Sequence, residues 1–175
     1  ANTSGALKIS NSYFGNNYVK GSSAQSGAIY AGSSTSAPNN DTIYHTIDKT
    51  VFEKNSAIAE RSGANAGAFS SSNNTKITNS LFLSNSAVLD LKYAPSSNFF
   101  MGAGAISQGD TTTSRNTRLE VLNTVFKNNF TQLNNDSNIE IAKGGNILGG
   151  AIRINNSTTK FDNVLLQGNY VENKN

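Results

Sequence analysis

The amino-acid sequence predicts an all-β fold, a right-handed parallel β-helix of about five coils, and three observations indicate it. A large apolar residue followed three positions later by Asn recurs five times along the 175 residues. A second motif, Gly-Ala followed by an apolar residue, alternates with the first. The apolar residues stand in short β-branched and aromatic runs, as in residues 75–82, and not at the 3.6-residue spacing of an amphipathic helix. Self-similarity of this kind is the sequence signature of a solenoid.

The first motif gives each coil an apolar anchor and an Asn. Its five copies are Phe14 with Asn17, Phe52 with Asn55, Phe82 with Asn85, Phe126 with Asn129, and Leu166 with Asn169. Upstream positions agree as well, since an Ile, Val or Phe stands five residues before every anchor. Stacked coils place such columns about 4.8 Å apart. We therefore expect an internal stack of anchors and a hydrogen-bonded Asn ladder, the latter at a turn that the left-handed tolerance of Asn favours.

The second motif supplies small residues where a strand comes close to the core. Its four copies are Gly27, Ala28 and Ile29; Gly67, Ala68 and Phe69; Gly104, Ala105 and Ile106; and Gly150, Ala151 and Ile152. Gly and Ala leave space that larger side chains from other strands can fill. The motif is therefore expected to lie inside the same stack of coils as the first.

The spacing of the anchors predicts a single domain, residues 1–175, with insertions in its coils. Successive anchors, near 14, 52, 82, 126 and 166, are 38, 30, 44 and 40 residues apart. A constant coil of about 30 residues would carry the extra residues at one corner, near 31–43, 58–66, 88–103, 107–117 and 131–149. Because the chain begins with Ala and shows no signal peptide, we expect a fragment of a longer surface protein.

The chemistry-bearing residues do not predict an enzyme. There is no Cys and a single His, His45, which falls on a strand column and is expected to be structural; no catalytic residue, metal site or cofactor is therefore assigned. Asp48 and Asp162 share a column three coils apart, roughly 14 Å at the usual strand spacing. A glycosidase pair needs about 5 to 9.5 Å, so a polysaccharide-active β-helix enzyme is the less favoured alternative.

Charge and hydropathy exclude two further classes of partner. The net charge of +3 comes from Lys and Arg residues scattered singly, which does not predict a nucleic-acid surface. No stretch approaches the roughly 18 apolar residues of a membrane span, so we expect no direct membrane insertion by this segment.

One insertion is a candidate partner-binding loop. The predicted insertion at 88–103 concentrates apolar side chains, among them Leu89, Leu91, Tyr93, Phe99, Phe100 and Met101. If these side chains are exposed, they form an apolar patch of the kind that marks a partner site. If they fold back, they cap the core instead. The sequence leaves both alternatives open.

The alternation of Gly-Gly-Ala-Ile-like and Phe-x-x-Asn motifs resembles the polymorphic membrane proteins (Pmp) of chlamydiae and Pmp-like adhesins. The resemblance covers essentially the whole chain. It departs from the family pattern where only Gly149 and Gly150 give the doubled glycine, the other copies having Ser or Ala before the motif Gly. The resemblance implies an autotransporter passenger domain, displayed on the cell surface or outer membrane or secreted, that acts in virulence by attachment to host cells. We expect these 175 residues to hold none of that family's translocator barrel, so the implied passenger assignment depends on the repeats alone.

The leading functional expectation is thus an extracellular adhesin segment that binds a host-cell surface receptor or glycan through loops and motifs. The alternative is a structural spacer or a self-associating stalk segment. Open coils at both ends would leave unpaired strand edges, through which copies can self-associate.

Overall fold

The computed structural model describes residues 6–32, 44–92, 100–109, 116–135 and 146–174, and these residues form strands and turns without a helix. The strands are β1 (Lys8–Ser10), β2 (Tyr13–Gly15), β3 (Tyr18–Ser26), β4 (Ile29–Ala31), β5 (Tyr44–Asp48), β6 (Val51–Glu53), β7 (Ser56–Ala66), β8 (Phe69–Ser71), β9 (Asn74–Thr78), β10 (Leu81–Leu83), β11 (Ser86–Leu91), β12 (Phe100–Ala103), β13 (Ile106–Gln108), β14 (Thr117–Lys127), β15 (Phe130–Asn135), β16 (Asn146–Ile147), β17 (Ile152–Ile154), β18 (Ser157–Gln167) and β19 (Tyr170–Lys174).

The strands form three sheets in which every described pairing is parallel and joins one coil to the next. The first sheet has the order β1-β5-β9-β14-β10-β6-β2, with β18 on β14. The second has the order β16-β12-β7-β11-β15-β19, with β3 on β7. The third has the order β17-β13-β8-β4. Stacked parallel pairing of this kind is a β-solenoid, so the predicted fold class is confirmed.

The coils are unequal in the number of neighbours they have. Three coils, β5–β8, β9–β13 and β14–β17, have a described coil on both sides. Strands β1–β4 (coil 1) and β18–β19 (coil 5) have a described neighbour on one side only. The described strands therefore form about five coils, of which three are enclosed. A coil cannot bury its own core, and the enclosed coils accordingly hold most of the fully buried side chains.

The predicted columns of apolar residues are confirmed by the strand register. Phe82 lies opposite Phe52 on one side and Phe126 on the other. The rings of Phe14, Phe52, Phe82 and Phe126 are stacked, with centroids 4.8 to 5.0 Å apart. The Ile and Val column packs beside this stack in the same core cluster. The repeated residues therefore face each other along the axis and fill the interior.

The position of the left-handed backbone differs from the expected one by a single residue. Positive φ occurs immediately before each ladder Asn, at Asn16, Lys54, Ser84, Asn128 and Gly168, with φ between 53° and 63°. The ladder Asn residues themselves do not have positive φ. The expectation that the ladder Asn is the left-handed residue is therefore wrong. The left-handed residue bends the chain, and the Asn that follows it directs its amide along the axis.

One predicted insertion is strand throughout, and a second is strand at both ends, with residues 93–99 between them outside the described ones. Residues 58–66 belong to the continuous strand β7, whose Ala57, Ala59, Ala64 and Ala66 are fully buried, so the insertion expected there is wrong. The range 88–103 contains the end of β11 and all of β12, both paired with β7. Small side chains on β7 leave room for larger ones on the strands opposite. The ranges 31–43, 107–117 and 131–149 fall mostly on residues outside the described ones.

Candidate functional site

The Asn column is a ladder of amide hydrogen bonds inside the solenoid. Asn85, which is fully buried, donates from Nδ2 to Asn129 Oδ1 (2.9 Å) and to the carbonyl oxygen of Phe52 (2.9 Å). Its backbone N–H donates to the same Asn129 Oδ1 (3.0 Å). In return, Asn85 Oδ1 accepts from the backbone N–H (3.0 Å) and Nδ2 (2.9 Å) of Asn55. Every polar atom of the side chain is thus used within the fold, which is the arrangement that buried amides require.

The Gly column contacts the Asn ladder of the following coil. A Cβ on Gly67 would lie 2.0 Å from the carbonyl oxygen of Gly104 and 2.4 Å from the backbone nitrogen of Ser86, the residue after Asn85. Gly27, Gly104 and Gly150 meet the residue after the next ladder Asn in the same way, at 2.4 to 2.7 Å. The two sequence motifs are therefore halves of one contact between successive coils.

The remaining motif residues also belong to the core. Ala68, Phe69, Ala105, Ile106 and Ala151 are buried, and Ala28, Ile29 and Ile152 are half-buried against the same cluster. The enclosed copies of both motifs have almost no surface to offer a partner. The geometry accounts for them as scaffold residues.

The candidate loop at 88–103 divides between the core and residues outside the described ones. Leu89, Leu91 and Met101 are 0 to 2% exposed and pack in a second core cluster. The interpretation in which these three side chains form an exposed patch is therefore wrong. They lie on the inner face of their strands, and that face is covered. Phe100 is half-buried, with the Arg153 guanidinium carbon 4.1 Å from its ring centroid. Tyr93 and Phe99 lie outside the described residues.

His45 occupies a buried position on a strand column, as the sequence predicts. The backbone N–H of Leu7 donates to its Nδ1 (3.0 Å), and its Nε2 lies 3.2 Å from Asn73 Nδ2. Because a backbone N–H can only donate, Nδ1 must keep its lone pair, and the ring is neutral. Burial lowers the pKa of His45 below its ordinary value of 6.5. The His45 ring is thus a structural hydrogen-bond acceptor. Protonation of Nδ1 would abolish the hydrogen bond from the backbone N–H of Leu7.

We expect the stability of the protein to fall as the pH drops below about 6.5, the ordinary pKa of an unfolded His. The folded state favours the neutral ring, so its stabilisation is fully present above that pH and is lost as the pH falls through 6.5 toward the lowered pKa. The loss should be about 1–3 kcal/mol, the cost of an unpaired buried donor. Thermal unfolding across this pH range measures it. His45→Leu is the control, since Leu119 stands in the same column, and an equal pH slope in both proteins would refute the role of His45.

The two carboxylates considered for catalysis stand where the sequence places them. Asp48 lies opposite Thr78, Thr78 opposite Leu122, and Leu122 opposite Asp162, so three coils of spacing separate the two. Asp48 Oδ1 accepts hydrogen bonds from Thr78 Oγ1 (2.6 Å) and Asn79 Nδ2 (2.8 Å), which lower the pKa of its carboxyl group. The carboxylate is held in its charged form by these neighbours and has no paired carboxylate one coil away.

A feature that the sequence argument missed is an open cleft of about 390 Å³ where β5, β9, β14 and β18 begin. Its lining residues are Tyr44, Asn74, Asn116, Thr117, Arg118, Thr158, Thr159 and Lys160. Tyr44 lies opposite Asn74, and Arg118 lies opposite Thr158, so successive coils contribute adjacent side chains. These positions hold different residues in each coil. Repeat analysis cannot find such a site, because it detects what the coils share.

The cleft combines an aromatic ring, amides, hydroxyls and cations. Arg118 pairs with Glu120 (2.6 Å), and the backbone N–H of Arg118 donates to Asn74 Oδ1 (2.8 Å), which fixes one wall. Lys160 is exposed and makes no ion pair with any described residue. The cleft therefore offers polar groups and a cation, Lys160, that has no ion-pair partner among the described residues.

Two classes of site are not found in the part of the chain that the structure describes. It contains no group of three or more His, Cys, Asp or Glu residues placed to hold a metal ion. Across those same residues, nothing forms a helix long and apolar enough to cross a membrane.

Comparison of the chain with protein-family models, with curated proteins and with solved structures finds no match.

Proposed function

We propose that this chain is a segment of an extracellular adhesin, in which a stiff β-helix displays a cleft to a glycan or receptor on a host cell. The observation that carries the proposal is the separation of roles between the two faces of the coils. The repeated residues form the interior, while the cleft is built from residues that differ from coil to coil. A rigid scaffold with a variable polar surface suits recognition. Surface display or secretion is part of this proposal.

The side chains of the cleft favour a carbohydrate that carries acidic groups. The Tyr44 ring offers a flat face for a sugar ring, and the Asn116 and Thr158 side chains can bond its hydroxyls. Lys160, which has no ion-pair partner among the described residues, is free to pair with a carboxylate or sulfate. The net charge of +3 adds a weak long-range attraction to an acidic surface.

Binding of the folded chain to intact host cells tests the proposal, with Lys160→Glu as the cleft variant. Lys127→Glu is the matched control, because Lys127 is also exposed on the first sheet and the charge change is identical. We expect saturable binding that Lys127→Glu preserves and Lys160→Glu weakens roughly tenfold or more, as loss of a charge-assisted hydrogen bond predicts. Enzymatic removal of acidic glycans from the cells should weaken binding of the unsubstituted chain to a similar degree.

Two results would count against the proposal. Equal weakening by both substitutions would place the contact outside the cleft. Failure of the folded chain to bind any cell would favour the second candidate, a structural spacer, for which the wholly internal position of the enclosed motifs is the supporting observation.

A further inference from the structure

One outward-facing column of the first sheet carries a lysine on every second coil, with the coils numbered in chain order. The strand register aligns one residue from each coil, namely Lys8, Thr46, Lys76, Glu120 and Lys160. The three lysines are exposed, whereas Thr46 and Glu120 are half-buried between them. Neighbouring coils lie about 4.8 Å apart, so successive lysine positions are about 10 Å apart along the axis. Lysines that are scattered in the sequence therefore form an evenly spaced row on the surface.

The lysines of this row are available to an anion from outside the protein. Among the described residues, Lys8 and Lys160 form no ion pair. Lys76 Nζ lies 3.8 Å from Glu120 Oε2, while Arg118 holds the other oxygen of Glu120 more closely, at 2.6 Å. An exposed ion pair is weak, because water and salt screen it and two long side chains must be ordered. An incoming carboxylate can therefore compete for Lys76.

The coils between the lysines offer polar groups without a net positive charge. In coil 2, Tyr44 precedes Thr46 by two positions on the same face of β5, which provides an aromatic ring beside a hydroxyl. In coil 4, Arg118 and Glu120 neutralise each other and keep atoms that can bond a hydroxyl. A second anion at the level of Glu120 would be repelled. The row therefore favours a ligand with an anionic group on every second unit.

We propose that the ligand of this face is a linear polysaccharide that lies along the axis, with one sugar per coil and an acidic group on every second sugar. A sugar unit of an extended polysaccharide is similar in length to the separation of adjacent coils, so the acidic groups would meet Lys8, Lys76 and Lys160 in turn. Duplex nucleic acid does not match this spacing, because each strand carries a phosphate about every 3.4 Å. The inference rests on the proposed function, since it specifies the acidic glycan that the cleft and the adjoining row would bind.

Isothermal titration calorimetry at low ionic strength tests the match with defined oligosaccharides. The probes are hyaluronan and unsulfated chondroitin fragments of two, four and six sugars, in which every second sugar carries a carboxylate. A six-sugar galacturonate oligomer, with a carboxylate on every sugar, is the comparison. We expect affinity for the alternating fragments to rise with each added disaccharide, because each one reaches a further lysine. The galacturonate oligomer should bind roughly tenfold more weakly despite its larger charge, because Glu120 repels one of its additional carboxylates.

A charge-conserving exchange separates the spacing of the lysines from the net charge. Thr46→Lys combined with Lys76→Thr keeps the net charge of +3 and moves the central lysine by one coil. Both positions face outward on the same sheet, and circular dichroism and thermal melting verify that the variant folds. It should bind the six-sugar alternating fragments roughly tenfold more weakly. Lys127→Gln removes an exposed lysine from another column and should bind them as the unsubstituted chain does.

Three results would each overturn the inference. They are equal affinity of the exchange variant and the unsubstituted chain, equal affinity for the alternating and galacturonate six-sugar oligomers, and no binding of any alternating fragment. Failure of the proposed function is a different result, because it is measured by binding to cells and by the effect of Lys160→Glu there. A chain that binds cells through the cleft but does not distinguish the spacing of carboxylates would keep the proposed function and refute this inference.

Discussion

Replacing Gly67 with Ala is expected to destabilise the protein by about 3 kcal/mol or more, at the upper end of what overpacking costs. The added Cβ would lie 2.0 Å from the carbonyl oxygen of Gly104 and 2.4 Å from the backbone nitrogen of Ser86. Both atoms belong to the backbone of the next coil, so no side chain can rotate away. Relief requires the coils to separate, which would lengthen hydrogen bonds in all three sheets. Denaturant unfolding measures the change through the transition midpoint.

Gly21→Ala provides the matched control for this substitution. Its added Cβ would lie 3.5 Å from the nearest atom outside its neighbours, which is ordinary contact. We expect no loss there and a gain of about 0.4–1 kcal/mol, because Ala restricts the unfolded chain more than Gly does. Equal stability of the two variants would show that the close approach at Gly67 does not constrain the fold.

Replacing Asn85 with Ala should cost about 3–6 kcal/mol. The change leaves two buried donors of Asn55 without partners, its backbone N–H and one Nδ2–H, and it also removes a hydrogen bond to the carbonyl of Phe52. Each such group costs about 1–3 kcal/mol. Against a typical domain stability of about 5–15 kcal/mol, this loss would bring the protein close to unfolding. Thermal and denaturant unfolding, followed by circular dichroism, measure it.

Asn17→Ala removes the same side chain at the open end of the ladder. Asn17 is exposed, and Asn55 Oδ1 would still accept the backbone N–H of residue 17. We therefore expect a loss of no more than about 1.5 kcal/mol, the net value of one ordinary hydrogen bond. A comparable loss of stability at both positions would show that burial does not determine the cost of removing a ladder side chain.

The sequence predicts the part of the fold that repetition encodes. The Phe and Asn columns follow directly from the spacing of Phe14, Phe52, Phe82 and Phe126, because stacked coils place like residues together. The burial of Leu89 and Leu91 could also have been predicted from the sequence. Ala87 lies in the column that holds Ala57 and Thr131. Leu89 and Leu91 follow Ala87 by two and four positions and alternate with polar or outward-facing residues, so they face the same side of the strand.

The remaining features depend on geometry that repetition does not record. The left-handed residue before each ladder Asn is Asn, Lys, Ser or Gly, so its identity gives no column to recognise. Residues 58–66 lie in the shortest coil, since Phe52 and Phe82 are 30 residues apart. The register shift between Gly21 and Ser23 places the extra residues of β7 within paired strands, which the spacing of the anchors does not reveal. The cleft joins unlike side chains from successive coils, which only the register brings together.

The one-coil reach of the ladder has a mechanical consequence. Each Asn amide bonds to the coils directly above and below, and no bond of the ladder spans two coils. Tension applied between the two ends of the chain therefore loads the terminal coils first and leaves the enclosed coils unstrained until their neighbours have detached. Pulling should peel the solenoid one coil at a time, as a series of small force steps. Such a body yields gradually under traction and keeps its remaining length stiff.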